Sequence, residues 1–164
     1  MRPPIDSGPL GPEGDFMTPY RLHASLGYNL SLAARLQERR LDDGLKTLGL
    51  TRTTWCVLLA AGNEGLSQPS DIARFIGIDR TATSRALRHL ETEGLLTREN
   101  GDADKRTTRV SLTALGHKRI AEGTPLAEAN NRAMKAKLSS DDQRALFQLL
   151  GKLTAGEDTQ FSRF

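Results

Sequence analysis

The chain has 164 residues, a formal net charge of +3 and a pI near 9.3, a mildly basic balance that permits nucleic-acid binding without requiring it. Hydrophobic residues make up 37% and aromatics 5%, enough for one core but low for a closed sphere, which fits an extended helical protein that completes its core by dimerising. No apolar run reaches the length that spans a membrane, no signal peptide is legible, and the lone Cys56 excludes an internal disulfide, so a cytoplasmic protein without membrane contact is expected.

Residues 1–18 hold four of the seven prolines and show no periodic pattern. They read as a flexible arm, draped on the domain or crossing to a partner subunit. Tyr20 to about Lys46 reads as one long helix, with Gly44 as the point where it would break. Leu22, Leu26, Leu30 and Ala33 form one stripe, and Leu32 and Leu36 widen it. Residues 19–48 are accordingly assigned to an N-terminal dimerisation helix. Thr51 caps a second helix through about Ala61, whose Trp55, Val57, Leu58 and Leu59 give it a buried character. Gly62 and Gly65 end that helix, and Gly65-Leu66-Ser67 is placed as a very short strand.

Residues 49–112 read as a winged helix-turn-helix. Ser67 is a fitting N-cap for a helix over Gln68 to Phe75 or Ile76, and Gly77-Ile78 make the turn. Asp79 caps the next helix and Gly94 ends it in a left-handed residue. Its apolar stripe is Ala82, Ala86, Leu87 and Leu90. The other face carries Arg80, Thr81, Thr83, Ser84, Arg85 and Arg88, with no acid until Glu91. Forked donors and short hydroxyls on an exposed helix suit guanine edges and phosphates in a major groove, whereas an ordinary solvated helix carries mixed charge.

After Gly94 the repeat falls to two residues. Leu95 to Glu99 and Thr107 to Leu112 read as strands, with Thr108, Val110 and Leu112 on one face, joined by a polar loop from Asn100 to Arg106. Arg98, Lys105, Arg106 and Arg109 give this hairpin positive charge. From Arg80 to Arg109 there are seven Lys or Arg against five acids, so the case rests on where the bases sit.

Residues 113–164 read as C-terminal dimerisation helices. Thr113 starts one that runs to about Lys137, either kinked at Pro125 or broken with a fresh start at Thr124. Ser139 or Ser140 caps the last helix, with Asp141 and Asp142 in its first turn and Leu146, Leu149, Leu150 and Leu153 as its stripe. The fold class is thus mainly α with a small β-wing.

The residues from Ile72-Ala73, through His89-Leu90-Glu91-Thr92-Glu93-Gly94-Leu95-Leu96-Thr97-Arg98 and Asp104-Lys105-Arg106, to Val110-Ser111-Leu112-Thr113 and Gly116 form an ordered set. That set resembles the MarR family of bacterial transcription regulators, whose wing carries D-x-R followed by a v-x-L-T-x-x-G start of the next helix. The resemblance covers about fifty residues strongly and Tyr20 to about Arg163 more loosely. It implies a homodimeric repressor of double-stranded DNA, released by a small ligand or by oxidation. It assigns Arg106 to the minor groove and Asp104 to holding that arginine, which fits the negative potential of a narrow minor groove.

Catalytic motifs are missing from the sequence: it holds no Gly-rich phosphate loop with Lys-Ser or Lys-Thr, no H-E-x-x-H, no C-x-x-C and no G-x-S-x-G. His23, His89 and His117 have no ligand partner at helical spacing, so no enzyme, metal or cofactor is expected. The resemblance implies an effector crevice, for which Tyr28, Arg35, Arg52 and Trp55 are candidates, since arginine with aromatics suits a phenolic or aryl carboxylate ligand. Two rival readings stand beside it. One is a redox regulator acting through Cys56, which lies in an apolar helix with Arg52 one turn back. The other is a winged-helix interaction module that never touches DNA.

Overall fold

A computed structural model describes residues 19–100 and 108–158. The arm 1–18, the wing-loop residues Asp104, Lys105 and Arg106, and the last residues of the tail lie outside the described residues. The chain divides into two units, Met1–Arg39 and Arg40–Phe164, with the boundary inside the first α-helix.

In the first unit a 3-10 turn, Leu22–Ala24, precedes α1, Leu26–Lys46. Asn29 ties the two together, its Nδ2 donating to the carbonyl oxygens of His23 and Ser25, each at 2.9 Å. The His23 and Tyr28 rings meet edge to face, 4.9 Å between centroids. The helix passes Gly44 without a break.

In the second unit α1 ends with Gly49 at φ +70°, and the Leu50 amide donates back to the Leu45 carbonyl at 3.0 Å. The order is then α2 (Arg52–Gly62), α3 (Pro69–Ile76), α4 (Arg80–Thr92), β1 (Leu96–Asn100), β2 (Thr108–Leu112), α5 (Ala114–Lys135) and α6 (Ser140–Thr154). Thr51 and Thr54 form a reciprocal capping box at the start of α2. Ser139 and Asp142 do the same at α6. α3 is capped differently from the sequence reading: Gln68 holds the N-cap position without a side-chain bond, and Pro69 opens the helix, where its missing N–H costs nothing.

β1 and β2 pair antiparallel, with Leu96 opposite Leu112 and Arg98 opposite Val110. Leu95 does not join β1 because its amide is already used: it donates to Leu90 O at 2.9 Å while Gly94 N donates to Glu91 O at 2.9 Å, and this pair closes α4. Nor does Gly65-Leu66-Ser67 form a strand. Gly65 sits at φ +66° and helix α3 starts at Pro69, which leaves room for one sheet-like bond, from Val110 N to Ser67 O at 2.8 Å.

The core lies where α2, α3, α4, the hairpin and α5 meet. Val57, Leu58, Ile72 and Leu90 are fully buried there, with Leu87 and Leu96 almost so. α5 is one helix from Ala114 to Lys135 with Pro125 inside it, and the Thr124 hydroxyl donates to Ile120 O at 2.8 Å in the turn before. Two close approaches seat α5 on α2. A Cβ on Gly123 would lie 2.5 Å from the rigid Trp55 ring, so that position accepts only hydrogen, and one on Gly62 would lie 2.5 Å from Ile120 Cδ1, the end of a side chain that would have to turn aside. α6 carries no buried residue. No helix among the described residues is long and apolar enough to cross a membrane.

Candidate nucleic-acid interface

Helix α4 is fixed at both ends and along one side. Asp79 accepts from Ala82 N at 2.7 Å, which satisfies a first-turn donor. At the far end Gly94, at φ +67°, allows the chain to reverse into β1. Ala86, Leu87 and Leu90 face the core, so the opposite side must face out. There Arg80, Thr81, Ser84, Arg85 and Arg88 line one shallow surface groove. All three arginines are exposed, and no ion pair among the described residues holds any of them. Unpaired guanidiniums beside small hydroxyls form a donor-rich surface of one sign, suited to phosphate oxygens and acceptor edges of bases.

Thr83, expected on that face, is not there. It is 1% exposed and its hydroxyl donates to Asp79 O at 2.9 Å. The signal was present in the spacing: Thr83 stands three and four residues before Ala86 and Leu87, and so belongs to their stripe. Its polar type concealed this, and the helix satisfies that polarity internally.

Arg98 is likewise not a free cation of the wing. Its Nε donates to Glu91 Oε2 at 2.9 Å and its Nη2 bonds the same oxygen. The Arg98 hydrogen bonds hold the Glu91 carboxyl below the usual glutamate range. The pair joins β1 to the last turn of α4. Arg109 is exposed on β2, opposite Glu99.

A link that sequence reasoning missed closes the same corner. Thr113 caps α5 by accepting from Gly116 N at 3.1 Å, and its hydroxyl also donates to Gly94 O at 2.7 Å. The cap is legible in the sequence; the second bond, spanning nineteen positions, is not.

The four effector candidates have distinct surroundings. In the first unit Tyr28 is half-buried against His23, and Arg35 is exposed. In the second, Arg52 Nε donates to Asp42 Oδ1 at 3.1 Å beside a shallow depression lined by Lys46, Leu50, Thr51 and Thr53. Trp55 is a core residue, 3% exposed and packed on the Gly123 backbone, rather than the wall of an open crevice. Burial pushes the Cys56 thiol up, with only partial opposition from the Arg52 charge. Its reactive thiolate is therefore scarce at neutral pH, which removes support from the redox reading.

Residues 48–107 match the protein-family model described as MarR family. Over this stretch the chain is similar to the MarR family. The helix-turn-helix and the first wing strand fall within the match, while α5 and α6 follow it. Solved structures extend the likeness. BpsR of Bordetella bronchiseptica, described with 6-hydroxynicotinic acid regulating its DNA binding, is 24% identical with a TM-score of 0.78 over 85% of this chain and 100% of that one. A probable transcriptional regulator from Pseudomonas aeruginosa is 29% identical, TM-score 0.72, over 81% and 99%. A mutant of MarR from E. coli complexed with operator DNA is 24% identical, TM-score 0.72, over 78% and 92%. At such identity the first and third are evidence of a shared winged-helix fold alone.

Proposed function

We propose that the chain is a transcriptional regulator, a repressor that binds a pseudo-palindromic operator as a homodimer and is released by a small aromatic or phenolic ligand. The observation that carries this reading is the outward face of α4, where Arg80, Arg85 and Arg88 are exposed beside Thr81 and Ser84 and have no ion-pair partner among the described residues. In this reading Ser84 and Arg85 meet base edges, Arg80, Thr81 and Arg88 hold phosphates, and Arg106 with Lys105 enters or flanks the minor groove, Asp104 steadying Arg106. The operator complex of E. coli MarR supports the DNA partner by analogy of fold.

Exposed apolar side chains support the dimer. α6 leaves Leu146, Leu149, Leu150 and Leu153 exposed at 43%, 56%, 38% and 49%, and in the first unit Leu22, Leu26 and Leu36 are exposed by half or more. Contiguous apolar faces of this kind mark association surfaces. Two copies would set their α4 helices in successive major grooves about 34 Å apart. For the effector, support comes from the ligand named for BpsR, with Tyr28 and Arg35 in the first unit and Arg52 in the second as chemically suitable side chains.

Selection of bound duplexes from a random pool tests the reading, followed by salt titration of the winner and screening of small aromatic acids and phenols for release. An inverted repeat whose affinity falls steeply with salt is expected. Recovery of no enriched sequence, or salt-insensitive binding, would favour the interaction module instead.

A further inference from the structure

We infer that Thr113 is a positioning residue for DNA reading, a peg that holds α4 and α5 at one angle. The inference rests on the assignment of α4 as the duplex-facing helix.

Gly94 and Leu95 are the two residues whose amides close α4, and their own carbonyl oxygens are left free by that closure. Thr113 takes both: its hydroxyl donates to Gly94 O at 2.7 Å and its amide to Leu95 O at 3.1 Å. The same hydroxyl accepts from Gly116 N at 3.1 Å. One proton and two lone pairs let a hydroxyl make both bonds at once, and a valine of the same shape makes neither. Gly116 completes the joint. It is buried, and a Cβ there would collide with the Leu95 carbonyl oxygen, so the first turn of α5 lies backbone to backbone on the end of α4. The far part of α5 is seated on α2 through Gly123 under Trp55. The peg therefore ties the reading helix to an element that is itself fixed.

Leverage makes this matter for sequence choice. α4 has 13 residues and is about 20 Å long, so a tilt of about 5° at its C-terminal joint moves the Arg80 end by about 2 Å and Ser84 and Arg85, the residues assigned to base edges, by about 1 Å. Flexible arginines reaching for phosphates tolerate such a shift. Hydrogen bonds to base edges, with a working range of a few tenths of an ångström, do not.

The test compares the wild type, Thr113→Val and Thr113→Ser in the full chain at a temperature well below unfolding. Affinities are measured for a selected duplex and for a random one, and amide hydrogen exchange is followed without DNA. Thr113→Val should lose about tenfold on the selected duplex and less than about twofold on the random one, and Thr113→Ser should recover most of the loss. Exchange at Gly116 and along α4 should quicken in the valine variant alone. Wild-type affinity in Thr113→Val, or equal losses on both duplexes, overturns the inference. A wild type that binds no duplex overturns the DNA reading instead. The joint is then judged by exchange: unchanged protection in Thr113→Val rejects it, and faster exchange upholds it as an α4–α5 peg.

Discussion

Arg98 of β1 grips Glu91 in the last turn of α4, its Nε 2.9 Å from Oε2. A residue expected to supply charge to the wing instead fastens β1 to α4. Because the pair lowers the Glu91 pKa in the folded state, its contribution is fully present above the ordinary glutamate range and is lost as pH falls through the depressed value. Arg98→Gln should therefore lower the urea midpoint at neutral pH, and the gap from wild type should narrow on acidification. A gap that widens in acid would contradict the assigned sign.

Gly123 has no room for a methyl group beneath Trp55, where a Cβ would meet Cζ3 at 2.5 Å. Gly123→Ala should destabilise by about 1–3 kcal/mol, the usual cost of overpacking a filled core. Trp55 is the single tryptophan, so its fluorescence reports the disturbance directly. An unaltered spectrum with an unaltered unfolding midpoint would mean that the ring is not held as described.

Neighbouring residues on α4 should separate into two behaviours. Thr83 is buried and Arg85 is exposed. Thr83→Val should leave the preferred sequence unchanged and alter only the melting temperature. Arg85→Ala should relax the preference at one or two base pairs, with about 1–3 kcal/mol of discrimination lost there. Binding selections on both variants check this. Equal losses for Arg85→Ala on cognate and random duplexes would reassign that side chain to phosphate.

The proposed wing arginine has its own signature. Arg106→Ala should weaken binding across all sites and reduce the salt slope by about one if the guanidinium neutralises a phosphate. Unchanged affinity for the selected operator would remove Arg106 from the interface.

Cys56 should behave as a packing residue. Its raised pKa predicts slow modification by thiol reagents at neutral pH, quickening as pH rises. Cys56→Ser should keep both its DNA affinity and its indifference to peroxide. Loss of binding in the wild type after mild peroxide treatment, absent in the serine variant, would restore the redox reading.

The sequence by itself determined the helices, the hairpin and, Thr83 apart, the outward face of α4. Caps at Thr51, Asp79, Thr113 and Ser139, the left-handed Gly77 and Gly94, and the helical spacing of Ala86, Leu87 and Leu90 are local signals, each set within a turn or two of chain. Such signals depend on backbone geometry, which neighbours in sequence dictate. Tertiary structure decided which candidate side chains are spent on the fold: Arg98 on Glu91, the second bond of Thr113 on Gly94, and the Trp55 ring in packing over Gly123. Those partners are brought together by packing across elements, and a side chain's charge or hydroxyl does not reveal, in one dimension, whether a neighbour or a ligand will satisfy it.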